Sequence, residues 1–384
     1  MAENNTMEGA VIGAGVIGVM SAWQLAARGH NVTVYDQWNT PNDRGASAGE
    51  SRIFRTLYKE GPDYVPLMQK SLPMWDELQK GLELPILEMC GGLTIGPRDH
   101  KDVQAVIDCA EELDLDHEVL DQKEMAERYP QFGLDENEVG VFDPVAGIFR
   151  PELAVLTARE ESKRLGAKYR PYTRVLNVRP TEDGIMVDTA DDAQRFDKVV
   201  LATGPWATGA TWATNFAPSM IQARRLVAGW FPARDTALHQ PKNMPISIRR
   251  HPEAGFSCFP ILDGTAVKIL PHHLDWMNID SPEDLPRLIE PEFVRAIERA
   301  VARLMPGLDP AAIRVSSWTE GFTTDGVPVV GPSPADDRVV LAFGMSGQGF
   351  KFAPAVGSIV TDYVSTDTSS DAIAIMSPTR FEQE

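Results

Sequence analysis

Four cations stand out in this chain by their surroundings. Arg52 and Arg55 are three residues apart and follow the loop-like stretch Asn42–Ser51, which is rich in Gly and Ser. Arg52-Ile53-Phe54-Arg55 reads as the start of a helix running past Leu57, which would put both guanidinium groups on one face. That face is either solvated surface or a positively charged wall beside a cofactor. Lys351 follows Gly344, Gly347 and Gly349 and precedes an expected helix over 353–364. A cation at a helix N-terminus opposes the macrodipole, so Lys351 calls for a compensating anion such as a substrate carboxylate, unless it simply reaches solvent. Lys268 lies in the apolar run Ala266-Val267-Lys268-Ile269-Leu270. A lone buried ammonium is costly, so Lys268 either sits on the wet face of an edge strand or is held near something anionic.

The element that would bring an anionic cofactor to these cations is at the N-terminus. Ala10–Ile12 is a short apolar run, followed by Gly13, Gly15 and Gly18, a helical stretch closed by Gly29, a β-rich run over Asn31–Tyr35, and Asp36. This is a βαβ unit with a dinucleotide fingerprint. Gly13 allows the sharp turn, Gly15 lets backbone approach a pyrophosphate, and Gly18 lets helix and strand pack closely. The acid about 20 residues further on suits a ribose hydroxyl pair and would repel a 2′-phosphate. Val199–Ala202 is a second buried strand, delivering Thr203 and Gly204 to the same place. Further strands are expected at 91–97, 139–143, 175–178, 185–188, 223–230, 245–250, 255–260 and 265–270. Helices are expected at 65–83, 101–112 and 151–166, with two more over 281–304 broken near Pro291.

Composition narrows the class of protein. With 384 residues, 43% hydrophobic and 24% charged, the chain is globular rather than disordered, collagen-like or coiled-coil, and long enough for two domains. The balance of 36 basic to 55 acidic side chains gives −19, which disfavours nucleic acid and anionic membranes as partners. Cys90, Cys109 and Cys258 are odd in number and widely spaced, so neither a disulfide framework nor a cysteine-rich metal site is expected. No targeting or spanning segment is read from the ends, and the expected location is cytoplasmic.

Taken in order, these segments resemble the sarcosine oxidase family of flavoenzymes, within the D-amino-acid-oxidase fold group. The likeness is carried by Gly13-Ala14-Gly15-Val16-Ile17-Gly18, Gly49-Glu50-Ser51-Arg52-Ile53-Phe54-Arg55, Tyr64-Val65-Pro66, Ala202-Thr203-Gly204-Pro205-Trp206, Val267-Lys268-Ile269, Thr324-Asp325-Gly326 and Gly344–Phe352. It implies an α/β plus α+β fold: a discontinuous Rossmann-like FAD-binding domain (1–84, 146–215 and 322–384) and a mixed or antiparallel-sheet substrate domain (85–145 and 216–321). The expected FAD contacts are Gly13, Gly15, Val16, Ile17, Gly18, Asp36, Ser47, Ser51, Arg52, Val175, Thr203, Gly204, Trp206, Gly344, Gly347, Gln348, Gly349 and Lys351.

By the same likeness, Arg52 packs by the flavin, Arg55 and Lys351 hold a substrate carboxylate, and Lys268 assists reduction of O2, with His272 in the Pro271-His272-His273 turn nearby. The implied reaction is oxidation of a secondary amine carrying a carboxylate, by hydride transfer to FAD. The imine then hydrolyses, and O2 is reduced to hydrogen peroxide. The partners are a small amino-acid-like molecule and O2, and the chain is expected as a monomer or weak homo-oligomer.

Several positions depart from the family pattern. Ser316 stands where the flavin-tethering cysteine of a Cys-x-Tyr-Thr segment is expected, so the FAD is expected to be non-covalent. Trp318 replaces a tyrosine of the substrate cavity, Ser257 falls near another, and Ala48 replaces a histidine. Two extra residues before Asp325 suggest a different loop. The substrate is therefore expected to be bulkier than sarcosine: an N-alkyl amino acid, a cyclic imino acid such as pipecolate, or a sugar-amine conjugate. Alternatives are a flavin dehydrogenase using another acceptor, a primary-amine oxidase, a nicotinamide enzyme, and an FAD-holding structural subunit.

Overall fold

A computed structural model describes residues 6–208, 212–216, 221–272, 274 and 277–381; His273 of the expected turn lies outside them. Its first sheet has six strands in the order Val329–Ser333, Asp336–Phe343, Lys198–Leu201, Glu8–Ile12, Asn31–Tyr35 and Lys168–Arg170. All neighbours are parallel except the first hairpin. Its inner strands are apolar at successive positions because both faces are covered. Val11, Val32, Val34, Val200 and Val340 pack with the helices Val16–Ala27, Pro151–Arg164 and Ala353–Thr366. Ala10, Ile12, Val199, Leu201 and Leu341 face a three-stranded meander over Asn177–Phe196.

The second sheet is mixed. Ile221–Pro232 pairs with Arg314–Thr323 along ten residues, and also with Asn278–Ile279 and Ala266–Pro271. The sheet continues through Phe256–Phe259 and Ile246–Arg249, then by a parallel step to Gly92–Pro97, Glu138–Asp143 and Glu118–Leu120. Helix Pro291–Leu304 covers its apolar core; the other helix expected over 281–304 is a single turn at Pro282–Asp284. Strand Arg314–Thr323 extends past Thr319 into the segment where the extra residues suggested a different loop, and a turn follows at 324–326. Arg249 and Glu138 form an ion pair of 3.1 Å, both 1% exposed, tying two of these strands together. Arg249→Met would leave a buried carboxylate without its cation, and should destabilise the fold by about 3–5 kcal/mol, read as a lowered denaturation midpoint.

One expected helix is a strand. Arg52–Phe54 pairs antiparallel with Gly147–Phe149, which also pairs with Leu87–Met89. The Asp143 carboxylate accepts the N–H groups of Thr56 (2.8 Å) and Leu57 (3.0 Å), the amides a helix would direct back to residues 52 and 53. The strand expected at 175–178 starts later, at Asn177, leaving Val175 in the preceding connection. Among the described residues no helix is long and apolar enough to cross a membrane, and no group of His, Cys, Asp or Glu could hold a metal ion.

Candidate active site

The glycine turn has little room for anything else. A Cβ on Gly13, at φ +100°, would lie 2.4 Å from the Ala202 carbonyl oxygen, and one on Gly18 would lie 1.8 Å from that of Gly13. Helix Val16–Ala27 starts with no side-chain cap and no acid in its first turn, a common setting for an anion. The Val16 N–H donates to Ser47 Oγ at 2.9 Å. Asp36 accepts from the backbone of Ala14 (2.7 Å) and Trp38 (2.8 Å); burial raises its pKa and these bonds oppose the rise.

A cleft of about 460 Å³ opens from this turn. Gly13, Gly15, Val16, Ile17, Asp36 and Ser47 line it with Val175, Thr203, Gly204 and Trp206, and Arg52, Gly344, Gly347 and Gly349 complete that set. Buried polar atoms without a partner lie along it, Thr203 Oγ1 and Trp38 Nε1. A glycine cradle, a helix end whose N-cap residue is glycine, and orphaned donors in one cleft fit an extended dinucleotide such as FAD. Four expected contacts are not in its wall. Gly18 serves helix–strand packing, and Ser51 lies in the turn described below. Gln348 and Lys351 belong to a separate buried network, because both side chains turn toward Tyr58.

Being three residues apart in extended chain, Arg52 and Arg55 point different ways. Arg52 donates to the carbonyls of Ser51 (2.7 Å) and Ala46 (2.6 Å) and lies 5.6 Å from the Trp318 ring. Lys268 is only 3% exposed and sits on an inner strand, which excludes a wet edge. Its Nζ donates to the carbonyls of Gly49 (2.7 Å) and Ser51 (3.2 Å), with Phe259 at 4.6 Å and Trp318 at 5.1 Å. Burial first, then the Arg52 charge, pushes its pKa well below the usual lysine value; Glu152 and Glu50 oppose this. The turn that holds both cations is left-handed at Gly49 (φ +100°) and Glu50 (φ +68°). Glu152 secures it by accepting the N–H groups of Gly49 (2.8 Å) and Glu50 (3.1 Å).

Arg55 and Lys351 meet around Tyr58. Both lie against the Tyr58 ring, at 4.6 and 5.2 Å. Arg55 pairs with Glu60 at 3.3 Å, while Lys351 Nζ donates to the Gln348 carbonyl (2.8 Å) and to Tyr58 Oη (3.3 Å). Burial lowers the Lys351 pKa to about 7, and Arg55 acts in the same direction against Glu60 and Glu320. Burial alone would raise Glu60, but Arg55, Lys59 and Lys351 hold it below the usual value. Ser257 Oγ lies 2.9 Å from His272 Nε2, joining two residues expected in the site. Ser316 and Trp318 alternate onto one face of their strand, and Glu320 shares it. Glu60, Glu152 and Glu320 went unread in the sequence; only the period-two spacing from Trp318 could have pointed to Glu320.

The family model described as FAD dependent oxidoreductase (DAO) matches residues 9–363. Monomeric sarcosine oxidase of Streptomyces avermitilis is 31% identical over 373 residues, covering 96% of each chain. An N-methyl-L-tryptophan oxidase of Escherichia coli is 28% identical over 367 residues, 94% of this chain and 95% of that one. Among solved structures, NikD, an unusual amino acid oxidase essential for nikkomycin biosynthesis, superposes with a TM-score of 0.85 at 22% identity over 97% of both chains. L-proline dehydrogenase from P. horikoshii gives 0.85 at 22% over 98% of both. At these identities the structural likenesses establish the fold.

Proposed function

The chain belongs to the family of FAD-dependent oxidoreductases, and from that premise we propose that it oxidises a secondary amine carrying a carboxylate, using O2 as acceptor. The observation that carries this reading is the pair Arg55 and Lys351, two buried cations sharing the Tyr58 ring, with Lys351 next in the chain to Phe350 of the cleft wall. Such a pair suits a substrate carboxylate, which in binding would fix the neighbouring C–N bond in one orientation.

Gly13, Gly15, Val16 and Ile17 would hold the pyrophosphate of FAD, and Asp36 the ribose. Bound FAD supplies the hydride acceptor and the route for the electron pair to O2. The chain's own part is to bind and orient the substrate through Arg55 and Lys351, and to keep a fixed cation, Lys268, in a dry setting. Trp318 and the Ser257–His272 pair would shape the cavity for the amine substituent. The imine released would hydrolyse in water and hydrogen peroxide would be the second product.

Oxygen uptake by the holoenzyme tests the reading across sarcosine, larger N-methyl amino acids, L-proline, L-pipecolate, fructosyl amino acids and primary amino acids. Uptake with one N-substituted amino acid supports it. An uncharged amine turned over as fast as its carboxylated analogue would count against the clamp. A serine hydroxyl cannot form the thioether that a cysteine at 316 would. All flavin absorbance should therefore pass to the supernatant in hot acid or denaturant, and colour retained by the precipitated chain would contradict this.

Lys351 also predicts a pH dependence. With its pKa lowered to about 7, Lys351 is charged below that pH and neutral above it. Affinity for a simple monocarboxylate should weaken by up to about tenfold per pH unit above 7. The loss should level off at the higher pKa that Lys351 has beside the bound anion. Titrating the flavin spectrum from pH 6 to 9 reads this directly, and Lys351→Met should flatten the profile.

A further inference from the structure

The cofactor cleft also carries an acid that the reading above does not use. Glu320 lines it together with Arg52, Gly321 and Gly347. Its place is fixed by backbone on both sides. The neighbouring Gly321 carbonyl accepts the Ser346 N–H at 3.1 Å, and a Cβ on Gly321 would lie 3.2 Å from Pro205 Cα. The Ser346 bond ties strand Arg314–Thr323 to the Gly344–Gly349 segment. The Glu320 carboxyl shares the cleft wall with the Arg52 guanidinium and the Gly347 backbone, and it feels the charges of Arg52 and Lys351. Burial raises its pKa and these three groups oppose the rise.

Where this acid lies along the cleft matters. Asp36 marks the ribose end, and the uncapped helix at Val16 marks the pyrophosphate. Arg52, Glu320, Gly321 and Gly347 line a part of the wall that neither end claims, which the ring of a dinucleotide would fill. Arg52 alone would favour negative charge arriving on a ring there, and an ionised carboxylate in the same wall cancels part of that field.

We propose that Glu320 sets the electron affinity of the flavin site by sharing the ring-end wall of the cleft with Arg52, so that the site holds negative charge less strongly than its cations alone would. This rests on the FAD reading, which fails separately if the wild-type protein carries no flavin.

The test uses holoenzyme and sulfite, whose reversible addition bleaches a flavin and leaves negative charge on its ring. Glu320→Gln keeps the shape and removes the charge. Sulfite should bind the variant about tenfold more tightly or better. Its midpoint potential, measured by dye equilibration, should rise by about 30 mV for each tenfold, the two-electron conversion. A merely structural acid would lower flavin content or thermal stability when replaced, and would not tighten an anion. If Glu320→Gln does not fold, Glu320→Thr serves the same comparison. A flavin-loaded neutral variant with unchanged sulfite affinity and potential overturns the proposal.

Discussion

Lys268→Met is expected to slow reaction of the substrate-reduced holoenzyme with O2 by about 10²–10³-fold, the scale for removing one preorganised charge-stabilising donor. The first electron to O2 makes superoxide, and a fixed ammonium stabilises that charge as it develops. Lys268 suits the task because it needs no reorganisation: two carbonyls hold its Nζ, at 2.7 and 3.2 Å, and aromatic rings exclude water around it. Methionine keeps the length and apolar contacts of the side chain and deletes the cation together with its two bonds to the Gly49 and Ser51 carbonyls. Stopped-flow mixing with O2 reads the loss, while anaerobic bleaching by substrate should change little. An equal loss in both steps would assign Lys268 to the architecture of the site. Retention of full O2 reactivity would remove it from oxygen chemistry.

Arg55→Leu should raise KM for a carboxylate substrate by about 10–100-fold, the range for a charge-assisted hydrogen bond lost in a buried setting. The effect is bounded because Glu60 already occupies Arg55 at 3.3 Å, so an entering carboxylate exchanges one anion for another and gains less than it would from a free guanidinium. Lys351 remains in the variant and keeps part of the clamp. The same substitution should leave turnover of an uncharged amine analogue close to that of the wild type. Steady-state kinetics with the matched pair of substrates separates the two cases, and an equal rise in KM for both would mean that Arg55 shapes the cavity without meeting the carboxylate.

Local sequence determined the cofactor half of this protein. Gly13 and Gly18 sit where a Cβ would strike backbone at 2.4 and 1.8 Å, and that demand is met within a few residues of chain. Asp36 and the apolar strands were legible for the same reason: a buried parallel strand needs an uninterrupted apolar run. Only the tertiary structure decided the cations. Arg52–Phe54 is too short for periodicity to settle, and it is a strand because Gly147–Phe149 pairs with it and Asp143 takes the next amides. Lys268 could have been a surface lysine until the sheet order put its strand inside. Glu60, Glu152 and Glu320 have no motif at all. Glu60 pairs with Arg55 five residues before it, in a loop with no periodicity to read, while Glu152 acts on a turn more than a hundred positions away. Charge interactions and hydrogen bonds act through space whatever the separation along the chain.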